Sequence, residues 1–363
     1  MSVSKAELKA VPRQVWLAVL VAALGYFVDI YDLLLFSIVR VQSLKDLGFA
    51  DTELLAKGVV LINTQMAGLL IGGLIWGVLG DKRGRLSVLL GSIVMYSIAN
   101  FLNGFVQNIE QYAILRFIAG VGLAGELGAG ITLISEILPR NIRGLGTTII
   151  ATVGILGAVV GALLGEVLSW RTCYIIGGVM GFAILLLRVG VTESGLFESL
   201  KSEKRERGNV LMLIRRRATF LKFLYCILIG VPIWYVVSVL FTLAPEFGKS
   251  FGMVELPTGG QAVLWGYIGL AIGDLSSGLV SQAMRSRRRA ILFYISLTIF
   301  DVAVQLVLPH SSVSSFYATC CLMGVGAGYW AMFVQVAAEQ FGTNIRATVT
   351  TSRRWCSKPT APC

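Results

Sequence analysis

The stretch GVLGDKRGRL, Gly77 to Leu86, sets the reading of the whole chain. It lies between two hydrophobic runs, 58–79 and 87–106, each long enough to cross a hydrocarbon core of about 30 Å. A connection this short predicts a tight reversal at a membrane surface. Gly77, Gly80 and Gly84 permit close helix approach and an unusual backbone at the turn. Asp81 sits among Lys82, Arg83 and Arg85, so its charge has partners just outside the apolar region.

Composition points the same way. Of 363 residues, 56% are hydrophobic and 14% charged, and a soluble protein would need about twice that charge to cover its surface. Glycine is frequent (41) and proline scarce (8), which suits long, closely packed membrane helices. Cys173, Cys226, Cys320, Cys321, Cys356 and Cys363 show neither metal-ligand spacing nor a disulfide framework and read as small apolar fillers. No nucleophile–base constellation or phosphate loop is visible, and the single histidine, His310, falls at the end of a span. The expectation is therefore no enzyme, no cofactor and no bound metal.

Ten apolar runs follow one another at 15–38, 58–79, 87–106, 112–138, 145–168, 172–191, 219–243, 261–284, 290–309 and 313–341. Their periodicity is helical, and no alternating ten-residue strands suggest a barrel. The connections alternate in charge. Lys5, Lys9 and Arg13, the 82–85 loop, Arg140 and Arg143, the segment Lys201–Arg217 and the Arg285–Arg289 cluster fall on one side. Only Arg40, Lys45, Lys57, Arg171 and Lys249 fall on the other. The basic side is expected to be cytoplasmic, with the N-terminus inside. On this reading the net charge of +11 reflects topology and contact with anionic lipid, not a nucleic-acid surface.

The long polar segment 192–218 divides six runs from four, giving a bundle at 1–191, a central cytoplasmic loop at 192–218 and a second bundle at 219–341. An internal repeat supports two halves. Glu136, Asn141–Gly144 and Thr147-Thr148 recur as Glu339, Asn344–Ala347 and Thr350-Thr351, each 203 residues on (339 − 136 and 351 − 148). Gly77 and the loop 82–85 likewise correspond to Gly278 and the cluster 285–289, with Gln282 where Asp81 would fall. After Thr148 the first copy continues into a hydrophobic run. After Thr351 the second reads SRRWCSKPTAPC, which cannot span. Residues 342–363 are accordingly read as an aberrant polar tail, as from a frameshift or premature stop, with the last two helices missing.

Ionisable residues inside a span are costly and mark function. Asp29 and Asp32 stand at i, i+3 in the first run, so they share a face and repel each other when both are charged, as a proton carrier requires. Arg116 and Glu126 of the fourth run are ten residues, or about 15 Å, apart and must find partners elsewhere, with the first helix the candidate. Trp234 and Tyr235 follow Pro232 in a run expected to kink. With Tyr329, Trp330 and the mid-span Asp274, they are candidates to line a cavity.

The loop at 77–86 resembles the pattern G-x-x-x-D-(R/K)-x-G-R-(K/R) between helices 2 and 3 of the major facilitator superfamily, departing only at Leu86. D-I-Y-D at Asp29–Asp32 resembles the D-G-x-D of its proton-coupled aromatic-acid and metabolite symporters. Arg116–Gly122 and G-E-L-G-A-G at Gly125–Gly130 are similar to the fourth helix of the metabolite:proton group. The resemblance implies an all-α integral membrane protein of two six-helix halves, with about ten transmembrane helices present here. It implies a secondary transporter of an organic acid or sugar-like metabolite, working by alternating access in a bacterial inner membrane. Protons, a small-molecule substrate and the bilayer would be its partners, acting on a monomer without nucleic acid. Asp29, Asp32, Arg116 and Glu126 would couple protons or bind substrate. Gly77, Asp81, Arg83, Gly84, Arg85, Glu136 and Arg143 would form a cytoplasmic gate. In the family this Asp meets the start of helix 11, so the alternative is a non-transporting, truncated or receptor-like membrane protein.

Overall fold

A bilayer offers no hydrogen bonds to a peptide group, so a spanning chain must satisfy its backbone within each segment. The structure, a computed structural model, obeys this throughout. It describes residues 13–83, 85–137, 143–187, 217–307, 312–330 and 332–333, and among them all regular structure is helical. The helices are α1 Arg13–Asp46, α2 Leu54–Arg83, α3 Arg85–Asn103, α4 Ile109–Ile137, α5 Arg143–Val167 and α6 Trp170–Leu187. They continue with α7 Arg217–Tyr235, running on as a π-helix over Val236–Phe241, then α8 Ala244–Ser250, α9 Gly259–Ala283, α10 Arg287–Val307 and α11 Val313–Ala327.

Each of the ten expected runs coincides with one helix, and the short α8 is an addition. Among the described residues, six helices (α1, α2, α5, α6, α9 and α10) are long and apolar enough to cross a membrane. The end of α7 with α8 makes a seventh, bent by 70°. The outer surface carries Leu70, Leu186, Leu279 and Phe300, each more than half exposed, as lipid contact favours.

Two boundaries differ from the sequence reading. The first helix runs to Asp46, two turns past the expected end, because its last turns bury Val39, Arg40 and Leu44 against other helices. The tenth run breaks at Gly328, which lies so close to the backbone of Gly273 and Asp274 on α9 that a helix cannot pass straight through. The expected kink in the seventh run is present but displaced. Pro232 stays inside α7, and the distortion it forces is taken up four residues on as the π-helical turn, with the sharp bend after Phe241.

Within the first six helices, α2 and α3 flank α4, α3 packs on α6, and α1 packs on α5, α4 and α6. Farther along the chain, α9 and α10 both pack on α11. The two groups meet where α9 lies against α5 and α1. Helix α1 is the hub. Its Phe27 carbonyl sits directly over Gly157 of α5, where no side chain would fit. At the end of the molecule away from the 82–85 loop, Trp170 and Arg171 both reach Asp46 (3.1 and 3.2 Å).

Gly157→Ala is expected to cost about 1–3 kcal/mol of stability by overpacking, read as earlier thermal unfolding of the detergent-solubilised protein. Gly278→Ala, where a methyl meets nothing within 4 Å, should leave the transition in place. Identical melting of the two variants would refute the α1–α5 contact.

Candidate functional site

Asp32 lies at the middle of α1 and is wholly buried; Asp29, one turn earlier, is 5% exposed. Both face protein rather than lipid, as the cost of a charge in hydrocarbon requires. Asp32 points at α6, its Oδ1 occupying the space that a side chain on Gly177 would need. Across from it, Arg116 of α4 is also wholly buried. The guanidinium donates from Nη2 to Gln65 Oε1 on α2 and stacks over the rings of Phe36 (5.5 Å) and Tyr174 (5.6 Å). Its charge faces the Asp32 carboxyl, which has Asn100 beside it, yet no hydrogen bond closes between Asp32 and Arg116, and the Arg116 Nε and Nη1 atoms have no partner among the described residues. The sequence reading placed the partner of Arg116 on the first helix. The structure divides that role between Gln65, Phe36 and the unclosed approach to Asp32. Glu126 is buried deeper along α4, beyond reach of Arg116.

Behind Asp32, α3 presents polar groups that the sequence reading passed over. Ser97, Asn100 and Asn103 recur at every third residue and are completely buried, and the side-chain polar atoms of Ser97 and Asn103 have no partner among the described residues. Asn100 lies beside the Asp32 carboxyl, and Ser97 lies under Gly181 of α6. Beyond Arg116, the Tyr112 hydroxyl donates to that of Tyr174 (2.8 Å). The spacing of three in an otherwise apolar run was the available signal.

A second locus is a small cavity of about 20 Å³ lined by Tyr26, Ile30 and Leu33 of α1, Ile155 of α5, Ile233, Trp234 and Val237 of the α7 region, Tyr267 and Leu270 of α9, and Trp330. Trp330 donates its indole N–H to the Tyr26 hydroxyl (2.8 Å) and meets Trp234 edge to face (5.7 Å). Of the aromatic candidates, Trp234 and Trp330 thus line the cavity. Tyr235 is 41% exposed on the outer surface, one residue round the helix from Trp234. Tyr329 is buried away from the cavity, donating to the Ile229 carbonyl (2.7 Å), and Asp274 is buried on α9 against the Gly328 break without lining it. No acid or base lines this space.

The third locus was not foreseen. Arg40, read from sequence as a loop-side charge, is only 1% exposed. Its Nη2 lies 2.7 Å from both carboxylate oxygens of Glu246 on α8 and 3.3 Å from the Thr242 carbonyl. Thr242 in turn donates to Ser37 of α1 (2.9 Å), so two contacts tie α1 to the bent end of α7. These groups form the floor of an open cavity of about 570 Å³, which also takes in Lys45, Asp51, Glu166 and Lys249. Lys45 bonds Asp51 at 2.8 Å and holds that exposed carboxyl below its usual range. Glu166 accepts from Gln261 of α9 at the rim.

Of the gate motif, Gly77 is buried in α2. Asp81 and Arg83 close α2, Arg85 opens α3, Glu136 ends α4 and Arg143 opens α5. Their side chains, with Gly84 and His310, lie outside the described residues.

The Major Facilitator Superfamily model matches residues 15–357. A putative metabolite transport protein of Haemophilus influenzae is 26% identical over 350 residues, covering 92% of this chain and 83% of the relative. A putative niacin/nicotinamide transporter of Bacillus subtilis is 26% identical over 348 residues, covering 90% and 81%. Among solved structures, a D-xylose–proton symporter superimposes with a TM-score of 0.64 at 16% identity, covering 93% of this chain and 86% of that one.

Removing one partner of the Arg40–Glu246 pair leaves a charge without its counter-ion. Glu246→Gln should therefore lower stability in detergent by about 1–3 kcal/mol. The double variant Arg40→Met/Glu246→Leu should recover most of that loss, because it removes the buried charge as well. A double variant less stable than either single one would show that the pair is not the interaction holding α1 to α8.

Proposed function

The chain belongs to the major facilitator superfamily, and we propose that this multi-pass membrane transporter carries a small organic acid together with protons. Its two halves, residues 1–191 and 219–341 joined by 192–218, rock about the central cavity. The basic connections face the cytoplasm of a bacterial cell, with the N-terminus inside, and the open cavity over Arg40 faces outward. A monomer suffices, since both halves lie in one chain.

The observation that carries the coupling is the unclosed approach of Asp32 to Arg116. An unpaired buried carboxylate is expensive in its charged form, as is an unpaired guanidinium. In one half of the cycle the carboxyl holds a proton and Arg116 rests on Gln65 and the two rings. In the other the proton leaves and the ion pair closes. The same helix carries Tyr26, Ile30 and Leu33 into the central cavity, so a shift of α1 that closes the pair also moves the cavity wall. Asp29 stands one turn away as a second carboxyl on the same helix.

The cavity lining is aromatic and aliphatic, with polar tips only on tyrosine and tryptophan. It suits a compact solute with an apolar or planar body. At about 20 Å³ it has room for little more than one water molecule, so binding requires the halves to separate. The niacin-transporting relative makes nicotinate a first probe and benzoate a second.

In proteoliposomes, a pH gradient, acid outside, should drive accumulation of one of these acids, whereas a sodium gradient alone should not. Asp32→Asn should abolish accumulation but retain exchange of labelled for unlabelled solute. Undiminished accumulation by Asp32→Asn would remove that residue from the coupling, and sodium-driven uptake would replace the proton as coupling ion.

A further inference from the structure

We propose that Asp32 exchanges its proton through the interior of the first six helices, along Ser97, Asn100 and Asn103 of α3, and not through the central cavity. This rests on the reading of Asp32 as the proton carrier. The first support is position. Asp32 and Ile30 are two residues apart on α1, about 200° around the helix. Ile30 lines the cavity, while Asp32 is directed at Gly177 of α6 and at Asn100. Among the described residues, no carboxyl group lines the cavity.

The second support is the unused hydrogen-bonding capacity of α3. The Asn103 amide and the Ser97 hydroxyl are completely buried without a partner among the described residues, and the equally buried Asn100 amide has the Asp32 carboxyl beside it. Unsatisfied buried polar atoms are destabilising, and apolar residues at these positions would avoid them. Bound water meets the need, since each amide can both give and accept a hydrogen bond. The asparagines do not titrate. They hold water molecules along which a proton hops, one O–H bond forming as the next breaks.

The three side chains cover about 9 Å along α3. Ser97 lies one turn toward the basic end, Asn100 stands level with Asp32, and Asn103 closes α3. Immediately beyond Asn103, Arg171 donates to the carbonyls of Gly104 (3.3 Å) and Val106 (2.7 Å), with its guanidinium partly exposed beside Asp46. The other titratable groups facing this region are Asp29 and Tyr31 on α1, Arg116 on α4 and Tyr174 on α6. Tyr31 donates to the Cys173 carbonyl and Tyr174 bonds Tyr112.

The test needs no substrate. In the purified full-length protein in lipid nanodiscs, the infrared C=O stretch of a protonated carboxyl that disappears in Asp32→Asn identifies the group. Its hydrogen–deuterium exchange is then timed after transfer to D₂O. Asn100→Leu and Asn103→Leu, which keep volume but remove the polar atoms, should slow exchange by about tenfold, as one missing hydrogen-bonded step would. Asn100→Ser and Asn103→Ser should restore it. Exchange as fast in the leucine variants as in the parent overturns the route and leaves Asp32 as carrier, as does failure of the serine variants to rescue. If Asp32→Asn removes no carboxyl band, the carrier assignment falls and the route with it.

Discussion

The packing of α1 is the constraint on which the other arrangements depend. It approaches α5 until the Phe27 carbonyl rests on Gly157, a contact that leaves no room for adjustment sideways. So fixed, it presents one side to the first group of helices and the other to the cavity shared with α7 and α9. The buried carboxyl of Asp32 and the hydroxyl of Tyr26 therefore sit on one rigid rod. Two sites on opposite sides of a helix can be coupled without touching, because the helix moves as a unit.

Charge placement follows the same economy. Arg40 and Glu246 neutralise each other at 2.7 Å and join α1 to the segment beyond the π-helical end of α7. Arg116, in contrast, has Gln65 and two aromatic rings but no closed ion pair. One arginine fastens and the other is held ready. The difference lies in the partner: Glu246 is partly exposed and reaches Arg40 from a short helix after a 70° bend, whereas Asp32 is held back on the packed face of α1.

How much of the site could be read in advance depended on residue type. Asp29, Asp32, Arg116 and Glu126 announce themselves because a charge in an apolar run has no cheap explanation. Trp234 was legible as an aromatic beside helix-breaking Pro232 and Trp330 as an aromatic in the last apolar run, but the same reasoning admitted Tyr235, which faces outward. Adjacent residues point about 100° apart on a helix, and nothing local says which faces the cavity. Arg40 was misread because hydropathy ends a span where the apolar letters thin out. The helix itself continues for as long as other helices cover it.

Hydrophobic run lengths, the glycine-rich basic loop at 77–86 and the i, i+3 acidic pair were enough to determine an all-helical membrane protein and to locate its buried charges. Those features are set by transfer free energies and helix geometry, which act within a single segment. The tertiary structure alone decided that Arg40 meets Glu246, 206 positions away. It also decided that Asn100 stands beside Asp32, and that Asp32 and the aromatic cavity lie on different sides of α1. These pairings depend on the rotation and register of one helix against another. Close-packed small residues fix both, and no single segment records them.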